Sequence, residues 1–153
     1  MVSPRSKQQR RQDVLERLEC DVDVWVASAD TSGTPYLVPL SFLWDGTDVF
    51  IATSVGNPTG RNLRDSGGVR LGFGLTRDVV LAEGVVAEVL NTADVSEEWG
   101  DAFAAKAGFD PRKAGDSYRY FRVRLDRVQA WREENELKDR ELMRDGRWLT
   151  GGA

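Results

Sequence analysis

The chain has 153 residues, of which 41% are hydrophobic and 30% are charged, and its formal net charge is −4. This length and composition predict one soluble domain, residues 1–153, with a core of its own. The negative charge argues against a nucleic-acid partner, which requires a concentrated basic surface. The sequence has no histidine and one cysteine, Cys20, so it excludes internal disulfides, histidine-ligated zinc or haem, and histidine-dependent triads.

The distribution of apolar residues gives no sign of a membrane protein. No apolar run approaches the length of a membrane span, so we expect no membrane partner. The basic N-terminal stretch is not followed by the apolar region of a secretory signal. We therefore expect a cytoplasmic protein.

Residues 1–20 are predicted to contain an N-terminal helix. Ser3 and Pro4 suit its start, and Val14 and Leu18 follow at helical spacing. Its basic residues indicate either an anion-binding arm or, as we prefer, a solvated helix start, because charge runs usually face water. These residues are Arg5, Lys7, Arg10 and Arg11.

Five strands are predicted next, in hairpin-like succession, over residues 24–29, 35–44, 48–53, 69–75 and 79–90. Asp45-Gly46 predicts a tight turn between the second and third strands. Pro39 donates no backbone hydrogen bond, so it belongs on a strand edge or at a bulge. Gly84 predicts a bulge in the fifth strand. Consecutive strands without βαβ alternation favour a small closed barrel.

The last third of the chain is predicted to add a helix, a long strand and a charged tail. The helix covers residues 94–107, with Asp94 or Ser96 as its N-cap. Alternation over residues 117–130 predicts a sixth strand with one polar, solvated face. The tail, residues 133–153, carries a short hairpin around Asp145-Gly146.

The loop after the third strand collects groups that bind phosphate. Thr53 and Ser54 offer hydroxyl groups, and Arg61 offers a permanent cation. Asn62 lies with Arg61 near the start of a predicted helical turn over residues 60–66, and helix N-termini favour anions. A loop without a ligand is the alternative interpretation, because loops rich in Gly, Ser and Thr are common.

Two further sets of residues have both functional and structural interpretations. Trp131-Arg132, after the sixth strand, either covers an aromatic ligand or caps the core. The acidic residues suit acid/base or metal chemistry, but their clustering in helices and the tail favours solvated surface. They are Glu83, Glu88, Glu97, Glu98, Glu133, Glu134 and Glu136.

The stretch GTPYLVPLSFLWDGTDVFIATS, followed by GRNL and GGVRLGFG, resembles the pyridoxamine phosphate oxidase-like family of flavin-binding split β-barrels. The resemblance covers residues 20–131. It implies a mainly β fold, a six-stranded antiparallel split barrel, that forms a homodimer with cofactor sites at the interface. It also implies a cofactor-binding set made of Val38, Pro39, Leu40, Ser41, Ala52, Thr53, Ser54, Thr59, Arg61, Asn62 and Trp131.

The resemblance implies a role for each part of this set. Residues 38–41 match the strand that lines the isoalloxazine ring, and residues 52–54 and 61–62 match the segments that meet the phosphate. Trp131 matches an aromatic residue that reaches the partner subunit's site. Thr59 stands where many relatives have a lysine, so Arg61 is expected to supply the cation.

The implied function is hydride transfer to or from a small substrate by FMN or, alternatively, the deazaflavin F-420. Such chemistry resides in the cofactor and needs no protein acid or base, which suits a chain without histidine. Two other functions stay open: a non-catalytic module that binds a flavin or another planar ligand, and a dimeric scaffold without cofactor. No vitamin B6 chemistry is assigned, because the residues that bind pyridoxal phosphate are not recognisable.

Overall fold

The computed structural model of the protein describes residues 2–149. Within this range there are three α-helices, eight strands and three short 3₁₀-helices. In chain order the helices and strands are α1 (Lys7–Cys20), β1 (Asp23–Ala29), β2 (Pro35–Trp44), β3 (Asp48–Ser54), α2 (Pro58–Asp65), β4 (Gly68–Phe73), β5 (Val79–Asn91), α3 (Glu97–Ala107), β6 (Tyr118–Trp131), β7 (Glu141–Arg144) and β8 (Arg147–Trp148). Met1 and residues 150–153 of the predicted terminal segments lie outside the described residues.

Six antiparallel strands close into a barrel. Their order is β3-β2-β1-β4-β5-β6, and β3 also pairs with β6, which closes the ring. The strands β7 and β8 extend the sheet beyond β6 as a hairpin whose turn is Asp145-Gly146. The ladder between β5 and β6 shifts register at Gly84, as expected for a bulge. The mainly β, six-stranded antiparallel split barrel is therefore confirmed.

The barrel interior is filled by side chains from alternate positions of the strands. Val26, Phe42, Ile51 and Phe121 are fully buried there, each on a different strand. In the second half of β2, Phe42 and Trp44 are buried and point inwards. This interior holds the β2 and β3 backbones in place around the site described below.

A second apolar cluster lies on the outside of the barrel, between α3 and the strands β3 and β6. It contains Phe50, Phe103 and Tyr120, and Tyr120 is fully buried. The prediction that this face of β6 is solvated is therefore wrong at Tyr120, because α3 covers it. Further along the same face Arg122 is half-buried and pairs with Asp48 at 3.1 Å.

The helix α1 begins later than the sequence suggests. Ser6 is the N-cap, and its hydroxyl accepts a hydrogen bond from the Gln9 amide at 3.1 Å, so Ser3 and Pro4 precede the helix. Arg10 is buried, and its guanidinium donates to backbone carbonyl groups from the far end of the chain. The acceptors are the carbonyl oxygens of Ala130, Glu136, Lys138 and Asp139. The interpretation of Arg10 as part of a solvated helix start is thus wrong.

Glu136 is buried and holds the same two chain segments together. Its carboxylate accepts hydrogen bonds from the Arg5 guanidinium at 2.8 and 3.0 Å and from the Arg132 amide at 2.8 Å. The hydrogen bond from Arg5 is the main cause that lowers the pKa of Glu136 to about 2. The interpretation of Glu136 as solvated surface is corrected, because it is an internal ion-pair partner.

We expect Glu136→Gln to lower the free energy of unfolding at pH 7 by about 3 kcal/mol, because it removes the buried carboxylate that pairs with the Arg5 guanidinium and leaves that guanidinium with Asp13. The folded pKa lies below the ordinary value of 4.5, so the difference from the parent should be complete above that value and vanish as the pH falls towards 2. Urea unfolding at several pH values measures it. Exposed Glu134→Gln is the control, and a difference independent of pH would contradict the ion pair.

Candidate functional site

The barrel is split where β2 and β3 part from each other. Their ladder has only three residue pairs and begins at Phe42↔Ile51. Earlier in β2, residues 35–41 pair with β1 alone, so this section has one open side. Pro39 lies in it, opposite Trp25, which confirms the predicted edge position.

The phase of the hydrogen bonds decides which backbone groups face the split. The Phe42 amide donates to the Val22 carbonyl at 3.0 Å, on the β1 side. Because bonding alternates along an antiparallel strand, the N–H and C=O of Ser41 point the opposite way, towards β3. Pro39 is in the same phase as Ser41 and has no N–H, so the ladder between β2 and β3 has no donor at that position.

The same alternation applies on β3. The Val55 amide donates to the Ser117 carbonyl at 2.9 Å, which places the bonds of odd-numbered residues on the β6 side. The N–H and C=O of Ala52 therefore point towards β2. The pair Phe42↔Ile51 implies that the Ala52 N–H donates to the Ser41 C=O, so the Ser41 N–H and the Ala52 C=O are the groups that border the split, where a continued ladder would have paired them.

A cavity of about 350 Å³ occupies this split. Five of the eleven predicted cofactor-binding residues line it. The complete lining is Asp23, Pro39, Leu40, Ser41, Ala52, Thr53, Phe103, Phe109 and Tyr118. The Ser41 hydroxyl donates to the Asp23 carboxylate at 3.0 Å. Val38, also predicted, does not line the cavity and packs against the barrel core.

The loop after β3 is closed by its own hydrogen bonds. Asn57 is the N-cap of α2: its side-chain oxygen accepts from the Gly60 amide and its side-chain NH₂ group donates to the Thr53 hydroxyl, each at 2.8 Å. Pro58, which has no N–H, follows at the first helical position. Gly60 lies against Ser54 so closely that a Cβ would overlap the Ser54 carbonyl. With Asn57 as its N-cap, the helix α2 begins at Pro58, before the predicted turn over residues 60–66.

Two of the predicted phosphate-binding residues are accessible. The Ser54 hydroxyl donates to the Ser117 hydroxyl at 2.8 Å and accepts from the Gly56 amide at 3.1 Å. Arg61 is exposed, and its guanidinium donates to the Gly56 carbonyl. A guanidinium has five N–H groups, so this contact leaves donors for an anion. Ser54 and Arg61 are brought to the same loop, as predicted.

The other three predicted members of this loop, Thr53, Thr59 and Asn62, are buried. Thr59 lies inside α2. The Asn62 side chain donates to the Ser28 hydroxyl at 3.2 Å and so ties α2 to β1. Their direct contact with a phosphate stays a prediction, and their observed role is to hold the loop.

Trp131 lies away from the cavity within one chain. It is the last residue of β6, paired with Val79, whereas Tyr118 at the first position of β6 lines the cavity. The two ends are about 40 Å apart along the strand. Trp131 can contribute to this kind of cavity only through a second copy of the chain.

Sequence reasoning missed four residues that line the cavity: Asp23, Phe103, Phe109 and Tyr118. Phe103 falls in the predicted helix over residues 94–107 and Tyr118 in the predicted strand over residues 117–130, but neither pattern says what the residue faces. Only the packing of α3 over β3 and β6 brings them to β2.

Among the described residues no group of three or more side chains could hold a metal ion. None of the helices in residues 2–149 combines the length and apolarity that crossing a membrane requires.

Comparison with known proteins decides the family. The family model described as pyridoxamine 5'-phosphate oxidase matches residues 11–132. The chain belongs to this family. No curated protein matches the chain. The matched range contains all of the cavity lining and every predicted site residue.

Solved structures resemble this family member in fold at low sequence identity. An F420 reductase has a TM-score of 0.63 at 15% identity, covering 74% of this chain and 93% of its own. An FMN-binding protein from Syntrophomonas wolfei subsp. wolfei has 0.60 at 12%, covering 80% and 89%. The heme storage protein HutZ from Vibrio cholerae has 0.57 at 15%, covering 75% and 89%. At such identities the likeness establishes the barrel fold alone.

We expect Gly60→Ala to destabilise the protein by about 2 kcal/mol, because the added Cβ has to push α2 away from the Ser54 carbonyl. Urea unfolding measures the change. Gly68→Ala is the matched control: no atom lies within 4 Å of its Cβ position, so its effect should stay within about 0.5 kcal/mol. Equal effects of both variants would contradict the close contact.

Proposed function

We propose that this family member binds FMN in the split cavity, at a dimer interface, and acts as an oxidoreductase on a small substrate; F-420 is the alternative cofactor. The observation that carries the proposal is the border of the cavity. The Ser41 N–H, a donor, and the Ala52 C=O, an acceptor, face it from opposite sides. The polar edge of an isoalloxazine ring also alternates donors and acceptors.

The remaining walls suit the flat faces of such a ring. Pro39 and Leu40 form one apolar side and Phe103 another. Ligand sites typically combine apolar walls with a few placed polar groups. The residues present therefore fit the ring portion of a flavin.

The fit to the phosphate is weaker than in relatives with lysine. Ser54 supplies a hydroxyl and Arg61 supplies the cation, whereas Thr59 is neutral and buried. The guanidinium of Arg64, in the same helix, pairs with Asp65 at 2.9 Å. The proposal therefore assigns the phosphate to Arg61 and Ser54.

A bound flavin or deazaflavin supplies the hydride chemistry. This chain's residues would orient the ring through Ser41 and Ala52 and keep water from it with Pro39, Leu40 and Phe103. No residue of the cavity has to donate or accept a proton for that role. The absence of histidine from the sequence is consistent with it.

We also propose that two chains pair through the outer face of β1, β2, β4 and β5. Trp25, Leu37 and Leu81 are 50%, 61% and 41% exposed on this face. The strand register brings Trp25 and Leu81 close to each other, because Gly72 of β4 pairs with Trp25 on one side and with Leu81 on the other. The same face continues along β5 to Val79 and thus to Trp131. Such an apolar patch indicates an interaction surface and would bring the partner's Trp131 towards a cavity.

A non-catalytic flavin carrier is the second candidate. The observation in its favour is the phosphate loop, in which the Gly60 amide already donates to the Asn57 side-chain oxygen and the Asn57 side-chain NH₂ to the Thr53 hydroxyl. A cofactor-free scaffold differs from both, since it binds no flavin. Titrating FMN and F-420 separately by fluorescence, and then adding nicotinamide or quinone electron partners, distinguishes the three.

We expect Arg61→Ala to weaken FMN binding about tenfold and to leave riboflavin binding unchanged, because only FMN carries the phosphate. Fluorescence titration gives both dissociation constants. Arg64→Ala is the control, since its guanidinium is paired with Asp65. An equal loss for FMN and riboflavin would show that Arg61 does not contact the phosphate. If the parent protein binds neither FMN nor F-420, the cofactor proposal is overturned.

We expect Leu37→Glu to convert a dimer into monomers, because it buries a charge in the proposed apolar interface. Analytical ultracentrifugation measures the mass. Val89→Glu alters a residue of 41% exposure outside this face and should leave the dimer intact. A monomeric parent protein, or dissociation by both variants alike, would argue against this interface.

A further inference from the structure

We propose that Phe109 and Tyr118 form a substrate subsite at the mouth of the split cavity, which takes a small planar ring that is uncharged or cationic. The inference rests on the proposed function, in which the flavin ring occupies the β2 edge of the same cavity. It goes further by naming the substrate class and two residues that bind it.

The two rings form one wall of the cavity. Both line it together with Pro39 and Leu40, which belong to the opposite strand. Their ring centroids lie 5.7 Å apart, with 56° between the ring planes. Phe109 is 40% exposed although it is a phenylalanine, whereas Tyr118 is half-buried. An exposed aromatic ring beside a cavity presents a face on which another flat ring can stack.

Phe109 is held in place by the residues on both sides of it. Gly108 ends α3 in the left-handed conformation, and its amide donates to the Ala104 carbonyl at 2.9 Å. Asp110 accepts from the amide of Arg112 at 3.0 Å and from its guanidinium at 2.9 Å. A ring on an anchored segment loses little conformational freedom when a ligand stacks on it.

Arg112 connects this segment to α3. Its guanidinium also donates to the Asp101 carboxylate at 2.7 Å and lies against Gly100, whose Cβ position it would obstruct. The segment that carries Phe109 is therefore fastened to the helix that covers the cavity. The position of the ring is thus set by contacts that do not involve the cavity itself.

The charge of the cavity defines the class of ring. Among its nine lining residues, all within the described range, Asp23 is the single charged one. Asp23 is exposed, and the Ser41 hydroxyl donates to one of its oxygens, so the other oxygen is available to a ligand donor or cation. A carboxylate at this place repels an anionic substrate and attracts a cationic one.

Lys106 is a cation that interacts with Asp23, but its hydrogen bonds go to other groups. The Lys106 ammonium group donates to the carbonyl oxygens of Asp21 and Phe42 and lies 4.4 Å from the centre of the Phe42 ring. Burial lowers its pKa, and Asp21 adds a second carboxylate near Asp23. The surroundings of the mouth are therefore net negative.

Three probes of equal ring size and different charge test the subsite. They are 1-methylnicotinamide, nicotinamide and nicotinate, titrated into the FMN-loaded protein by saturation-transfer NMR. We expect the cationic probe to bind about fivefold more tightly than the anionic one, and Asp23→Asn to abolish this preference. We expect Phe109→Leu, which keeps apolar bulk, to weaken all three about tenfold.

Tyr36→Leu is the matched control, because Tyr36 is 42% exposed and does not line the cavity. Unchanged probe affinities in Phe109→Leu, or a loss of FMN affinity in their place, would overturn the subsite and leave the cofactor proposal standing. Tighter binding of nicotinate would overturn the charge assignment. If neither FMN nor F-420 binds, the cofactor proposal fails, and the same titration on the purified chain still tests Phe109.

Discussion

The candidate site depends on the early end of the ladder between β2 and β3. Continued past Ser41, the ladder between β2 and β3 would have required an N–H from Pro39, which has none. β3 meanwhile pairs with β6 along its whole length. The barrel therefore stays closed through β6 while β2 keeps an open edge, and that edge turns backbone groups of Ser41 and Ala52 into potential ligand contacts.

Charged side chains hold the segments around this opening. Arg10 and Glu136 join the N-terminal helix to the chain after β6, and Arg112 joins α3 to the segment that carries Phe109. Lys106 attaches α3 to the ends of α1 and β2 through carbonyl groups of Asp21 and Phe42. These groups are buried or half-buried and their hydrogen bonds are made, so they stabilise the position of the cavity walls and need no role in chemistry.

Sequence reasoning predicted the elements well and the surroundings of individual side chains poorly. The strand β2 has the predicted bounds, and Pro39 lies on an edge, because alternation and the missing amide are local properties. Arg10, Tyr120 and Glu136 were assigned to solvent, yet each is buried by an element distant in sequence. Phe109 could not be found, because a single phenylalanine after a helix carries no signal of the cavity it lines.

The sequence by itself determined the barrel, the family resemblance, the loop with Ser54 and Arg61, and the exclusion of histidine chemistry. Each follows from residue types and from spacing along a single segment. Only the tertiary structure decided that Thr59 and Asn62 are buried, that Trp131 is remote from the cavity of its own chain, and that Asp23, Phe109 and Tyr118 share one cavity with Pro39. The physical reason is that strand register and helix packing join residues far apart in sequence, and neither leaves a local pattern in the chain.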